Sequence, residues 1–374
     1  MRRFFSSRER GQVLLAVALL VPVLLGMTAI AVDIGSYADN KRELQNDADA
    51  IALAAAQNLC TPNPLDCSST TNAQSAASAY ATKNNIDSSK VTVTFDNIAV
   101  TPTGNPTVHV SISEDHKFAF ARVLGITSRN VSVRAGAVKT SPGGVGGITP
   151  WAVLYPPPAS GSSVTLKWDS SNPSNGNFQA IQVDLGSGSG AATYQNTIQY
   201  GSSSIICAAG VTTCTNTSPV CPDYDQCPPE TGNMTSSTRD GVNFLLNNTS
   251  TICDTFAEAF SGPDAYGTYT LNPNCNPWAG PGACPTTNPE TSPYAQCSRR
   301  VLIIPIINGF GSGSSDPVTV KSFGLFWLQG FENGVCTGSN CNIIGTFVKA
   351  DVTIGALAGV YDGSSSIHYT RLTE

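Results

Sequence analysis

The sequence predicts an α+β protein built outward from a membrane. An N-terminal transmembrane helix continues into a long helix, followed by a small α+β unit and a mainly β, sandwich-like extracytoplasmic domain with a disulfide-rich insertion. Three observations carry this. The run from Gln12 to Val32 holds no charged residue and has the length of a bilayer core. The second half breaks into short β-branched and aromatic runs separated by Gly, Pro and Asn turns. All 12 cysteines lie beyond the apolar run. The expected units are a basic segment at 1–11, the span at 12–32, a helical extension with a small α+β unit at 33–140, a Gly/Pro linker at 141–150, and a β-rich domain at 151–374 with a Cys-rich insertion at about 202–293.

Charge gives the span a direction. Arg2, Arg3, Arg8 and Arg10 precede it against Glu9 alone, whereas Asp33 and Asp39 follow before Lys41 and Arg42. The basic excess keeps the N-terminus in the cytoplasm and sends the rest across the membrane. Pro22 lies mid-span, where a membrane helix tolerates it. Three fates are open to this segment: a leader cut after Ala31 at the Ala29-Ile30-Ala31 pattern, a retained anchor, or a pilin-like helix cut after Gly11. The apolar run exceeds the 7–15-residue core of a secretory leader, which favours the anchor.

The stretch from Ser36 to Leu59 has no Pro or Gly and is rich in Ala and Leu, which predicts that the membrane helix continues outward as a rod. Leu44, Ala48, Ile51, Ala55 and Leu59 repeat at helical spacing and form an expected packing face. An Arg10-Gly11-Gln12 start, Pro22-Val23-Leu24-Leu25-Gly26, Ala31-Val32-Asp33-Ile34-Gly35, Leu44-Gln45-Asn46-Asp47-Ala48-Asp49-Ala50 and Ala52 to Ala56 together resemble the N-terminus of TadE/TadG-like proteins, the assembly components of tight-adherence (Flp) pili. The specific part of the resemblance covers about residues 10–58; Ser298 to Pro305 and Val320 to Leu328 are similar more loosely. It implies a single N-terminal membrane helix and partners among pilus-assembly or pilin subunits. Two departures stand out. Prepilins of this system carry Glu then Tyr five residues after the cleaved Gly, where this chain has Ala16 and Val17. The von Willebrand-type metal motif of some TadG relatives is only loosely echoed by Asp66-Cys67-Ser68-Ser69-Thr70, which follows no strand.

Beyond the rod, 73–84 reads as a helix, 91–95, 107–112 and 130–138 as strands, and 115–126 as an amphipathic helix. Residues 141–150 cluster Gly and Pro without periodicity, the pattern of a linker. The later runs WAVLY, SVTLKW, FQAIQVDL, TYQNTIQYG, RRVLIIPII, VTVKSFGLFWL and IIGTFVKADVTI all read as strands, and Thr238 to Phe260 holds a helix or two.

The cysteines are Cys60, Cys67, Cys207, Cys214, Cys221, Cys227, Cys253, Cys275, Cys284, Cys297, Cys336 and Cys341. An even set without a CxxC pair or neighbouring His is a disulfide framework of an oxidising compartment, with Cys60–Cys67 and Cys336–Cys341 the most economical local closures. Charged residues are only 12%, about half the usual share, and the net charge of −6 offers no basic stripe for nucleic acid. No GxSxG, HExxH or P-loop is present. His109, His116 and His368 are scattered, and the glycine runs at 186–190 and 309–313 read as turns. Asp223 and Asp225 in the Cys221–Cys227 interval are a candidate calcium pair. The expectation is a non-enzymatic, single-span protein of pilus assembly without a cofactor, touching the lipid bilayer and other subunits. The alternative is a surface-displayed binding module or adhesin that uses the Cys-rich lobe.

Overall fold

The computed structural model describes residues 7–61, 63–100, 102–167, 177–184, 190–211, 214, 221, 226–232, 234–247, 253–264, 267–275, 300–310, 317–338, 341–352 and 357–373. An N-terminal long apolar helix leads into a mostly β body, an α+β mixture. Helix α1 spans Ser7–Gln57 as one rod of 51 residues, roughly 75 Å at 1.5 Å per residue. It passes through Pro22 without interruption. Among its described side chains, those from Leu14 to Val32 are mostly exposed, and from Leu44 onward one face is covered by the chain's own fold.

That cover explains the helical stripe. Leu44, Ala48, Ile51, Ala55 and Leu59 are all buried, packed with helix α2 (Thr71–Lys83) through Ala73, Ala77 and Ala81. The other side of the same core is a hairpin of strands β2 (Thr107–Lys117) and β3 (Ser128–Thr140), which contributes Val108, Val110, Ile112, Val131, Val133, Ala135 and Ala137. Alanine on both helices lets their backbones come close, and the period-2 alternation of β2 turns its branched side chains inward. Strand β1 (Val91–Asp96) flanks β2. The stripe that the sequence offered as a packing face is therefore occupied within the chain.

Three expectations of local structure are corrected. Residues 115–126 are not a helix: β2 runs on to Lys117, paired residue for residue with β3 from Thr107↔Val138 to Lys117↔Ser128, and a 3₁₀ turn at Ala121–Leu124 caps the hairpin. Eleven ladder pairs outweigh the helical spacing of a short stretch that would be marginal alone. The segment at 193–201 is not a strand but helix α3 (Gly190–Tyr200), whose buried Tyr194, Thr197 and Ile198 fall on one helical face. Its Thr and Tyr content mimics a strand, and tertiary packing against helix α4 (Thr235–Asn247) decides otherwise. Residues 141–150 are not a free tether. All ten are buried, and Pro142–Val145 is a strand paired with Ile206–Cys207 on one side and Leu357–Ala358 on the other. A Cβ on Gly143 would stand 2.9 Å from the Gly359 backbone, so glycine serves close approach here rather than looseness.

One 12-stranded sheet joins the two halves. Its main path of eight strands is β1, β2, β3, then Ile367–Leu372, Ile343–Asp351, Val318–Phe331, Val301–Ile307 and Val153–Leu154, and Ser163–Lys167, Gln226–Cys227, Phe260–Ser261 and Thr268–Leu271 pair off that path. Ile367–Leu372 lies antiparallel to β3, with Tyr369 opposite Thr140, and parallel to Ile343–Asp351. Ile367–Leu372 thus closes the seam between the unit packed on α1 and the rest. Val301–Ile307 is buried on both faces, as a central strand requires. Leu302, Ile304 and Ile306 meet Tyr194 and Ile198 of α3 and Val242 and Leu245 of α4, while Val301, Ile303 and Ile307 face a second core.

Five disulfides join ten cysteines: Cys60–Cys67, Cys207–Cys214, Cys221–Cys227, Cys253–Cys275 and Cys336–Cys341. Cys284 and Cys297 lie outside the described residues. Cys221, Cys227, Cys253 and Cys275 belong to the second core, and α4 belongs to the first. The described parts of 202–293 are therefore packed into the body of the domain rather than hung from it as a lobe.

Candidate functional site: the apolar helix and its two attachments

The exposed part of α1 carries a run of apolar side chains. Leu14, Val17, Leu19, Leu20, Val21, Val23, Leu24, Leu25, Met27, Ile30, Val32 and Ile34 all face outward. The helix is long and apolar enough to cross a membrane. The span of 12–32 covers about 30 Å. Arg2 and Arg3 lie outside the described residues, and Arg8 and Arg10 are in the first turns of α1.

The first attachment is at the end of the apolar run. Asp33 is buried, and its carboxylate accepts from three consecutive backbone N–H groups of the β2–β3 hairpin tip. Ala119 N donates to Oδ1 at 2.9 Å, Phe120 N to Oδ2 at 3.0 Å, and Ala121 N to Oδ2 at 2.6 Å. Burial pushes this carboxyl up, but the N–H groups of Ala121, Ala119 and Phe120 outweigh it and hold the group below its usual range. Tyr37, His116 and Phe118 cluster beside it with ring centroids 5.5–6.3 Å apart, His116 edge to face with both other rings and Tyr37 tilted 33° to Phe118. The hairpin is thereby clamped to the helix where the helix leaves the apolar run. In Asp33→Ala these N–H groups lose their acceptor, and exchange of the Ala119, Phe120 and Ala121 amides should speed up at least about tenfold while that of Val108–Ile112 stays unchanged. Unaltered tip exchange would show that the clamp holds nothing.

The second attachment is at the other end of α1. Lys139 is only 2% exposed, on β3, and its ammonium donates to Gln57 O at 3.1 Å, Leu59 O at 3.0 Å and Asp351 Oδ2 at 3.1 Å. The last carbonyls of a helix are its negative end, so a cation there completes them. Burial pushes the Asp351 carboxyl up, yet the Lys139 ammonium and then His368 outweigh it and hold the group far below the usual carboxylate range. His368 lies 3.6 Å from Asp351 Oδ1 through Nδ1, meets Asp362 O at 2.8 Å through Nε2, and stacks on Tyr361. Tyr361 in turn donates to Pro64 O at 2.6 Å. Helix α1, the Cys60–Cys67 loop, β3 and the two strands of the outer body meet at this one buried cluster.

The residues weighed for chemistry do not come together. His109 on β2 lies 3.0 Å from Asp96 across the β1–β2 pair, His116 belongs to the first attachment, and His368 to the second. Among the described residues no group of three or more His, Cys, Asp or Glu is arranged to hold a metal. Asp223 and Asp225 lie outside them, as do 186–189 and 311–313. Sequence reasoning missed both attachments. Asp33 was visible as the first acid after the apolar run and Lys139 as a charge just beyond the strand expected at 130–138, but neither pattern names its partners.

Compared with known proteins, residues 11–58 match the family model described as putative Flp pilus-assembly TadE/G-like. No curated protein and no solved structure matches the chain. The matched region is α1 from Gly11 to one residue beyond its end, so it contains the span, Asp33 and the buried stripe.

Proposed function

We propose that this protein is a membrane-anchored, non-enzymatic component of Flp (tight-adherence) pilus assembly that works through protein contacts. The observation that carries the reading is the TadE/G-like match over a helix whose outer half is exposed and apolar and whose inner half is built into the chain's own body. Arg2, Arg3, Arg8 and Arg10 hold the N-terminus in the cytoplasm. The disulfide-rich body stands on the oxidising side. The span is retained, and the two attachments at Asp33 and Lys139 make anchor and body move as one piece.

This changes where partners dock. Leu44, Ala48, Ile51, Ala55 and Leu59 are covered by α2 and the β2–β3 hairpin, so pilin or assembly subunits meet the lipid-facing half of α1 and the outer surface of the body. Removal of the gene from its host should abolish surface pili in electron micrographs, and the intact chain should restore them. Normal pili with failed attachment would overturn assembly in favour of an adhesin. N-terminal sequencing of the membrane-fraction protein should read an uncut start; a start at Gln12 or Val32 would replace the anchor with a processed pilin or a leader.

A further inference from the structure

We infer that the tip of the β2–β3 hairpin is a second membrane contact, seated in the headgroup–acyl boundary of the bilayer face from which α1 emerges. The inference rests on the anchor reading above. Phe120, Val123 and Ile126 at the tip are 49%, 86% and 52% exposed. Among the described residues outside α1, no other stretch of seven exposes three large apolar side chains. Gly125, in the left-handed region at φ 84°, turns the chain so that Val123 and Ile126 flank the apex.

Three observations commit this patch to lipid. The first is depth: the backbone of Ala119, Phe120 and Ala121 is bonded to Asp33, the residue that ends the apolar run, so the tip sits level with the end of the span. The second is continuity, since Val32 and Ile34, on either side of Asp33 in α1, are themselves exposed. The third is charge. From Lys117 to Arg129 the tip carries Lys117, Arg122 and Arg129, all exposed, and no acid. Apolar and aromatic side chains at an apex with basic residues on its shoulders are what a phospholipid interface receives, the rings and aliphatic groups below the phosphates and the cations among them. The clamp at Asp33 fixes the tip's depth, and the two contacts together fix the tilt and rotation of the body over the membrane, which a lone helix leaves free.

The test uses the full chain in vesicles of phosphatidylcholine and phosphatidylglycerol, with an environment-sensitive fluorophore on single introduced cysteines and nitroxide-labelled lipids as quenchers. Leu20→Cys reports the anchor, Val123→Cys the tip, and Val100→Cys is the control. Val100 is exposed in the β1–β2 turn, at the opposite end of the eleven-residue β2, roughly 35 Å away. The expected result is quenching at 20 by nitroxides deep in the acyl chains, quenching at 123 by nitroxides near the headgroup, and none at 100. Quenching at 20 without quenching at 123 would overturn the tip inference and leave the anchor standing. No quenching at 20 would overturn the anchor reading itself. A blue-shifted emission at 123 that lipid nitroxides do not quench would mean that a second copy of the chain covers the tip, and the lipid assignment would fall. The side chain of Val123 is almost wholly exposed, so the substitution leaves the fold intact.

Discussion

Lys139→Met is expected to loosen the whole molecule at the seam between its two halves. The substitution keeps most of the unbranched side chain and removes the ammonium that reaches Gln57 O, Leu59 O and Asp351 Oδ2 at once. Breaking a buried ion pair from one side costs about 3–5 kcal/mol, because the partner charge is left without its counterion. Two helix-end carbonyls lose a donor as well. The detergent-solubilised full chain should melt several degrees lower. Amide exchange should rise at the last turn of α1 and along Ile367–Leu372, while the Trp151–Tyr194–Thr238 relay under α3 and α4 stays protected. The pH dependence has a definite sign. Asp351 is held below its ordinary value in the folded chain, so its contribution is complete above the unfolded value of about 3.9 and is lost as pH falls toward the folded one. Acidification from neutral pH to pH 3 should therefore destabilise the wild type more than Lys139→Met. An unchanged melting point in the variant would mean that the cluster merely fills space.

The seam also shows why some of the fold was legible in the sequence and some was not. Helix α1 announces itself through an uncharged run and a 3.6-residue stripe, both of which are local patterns. The strands Val301–Ile307, Val318–Phe331 and Ile343–Asp351 are legible for the same reason, as β-branched and aromatic runs bounded by turns. What fails is whatever depends on a distant partner. The final strand Ile367–Leu372 has a polar, unremarkable sequence and exists because β3 and Ile343–Asp351 leave a slot between them. Residues 141–150 carry the composition of a linker, yet Gly143 is there because the Gly359 backbone passes too close for a side chain. Helix α3 has strand-like residues that only the packing of α4 resolves; a Cβ on Gly241 would stand 2.8 Å from Ile198. The candidate site divides the same way. The apolar helix could be read directly, while Asp33 and Lys139 owe their roles to donors and acceptors some 80 residues or more away in the chain.

Paired arginines in the span should have the largest effect on function. Leu20 and Leu24 lie one turn apart on the same face of α1, both about half exposed, near the middle of the apolar run. An arginine at the centre of a membrane helix costs about 2.5–3.5 kcal/mol on insertion scales, so Leu20→Arg with Leu24→Arg costs roughly 5–7 kcal/mol. Neither position touches the buried stripe at Leu44–Leu59, Asp33 or the Lys139 cluster, so the body keeps its sequence-encoded contacts. The expected outcome is loss from the carbonate-resistant membrane fraction. A chain that fails to insert also stays on the reducing side, so the five described cysteine pairs should be found as thiols by alkylation and pili should be missing. The single Leu20→Arg, at half the cost and able to bend its long side chain toward the interface, should be partly tolerated. If the double variant remains carbonate-resistant with its disulfides formed, then α1 is not what holds the protein to the membrane, and the hairpin tip at Phe120, Val123 and Ile126 becomes the first place to look for what does.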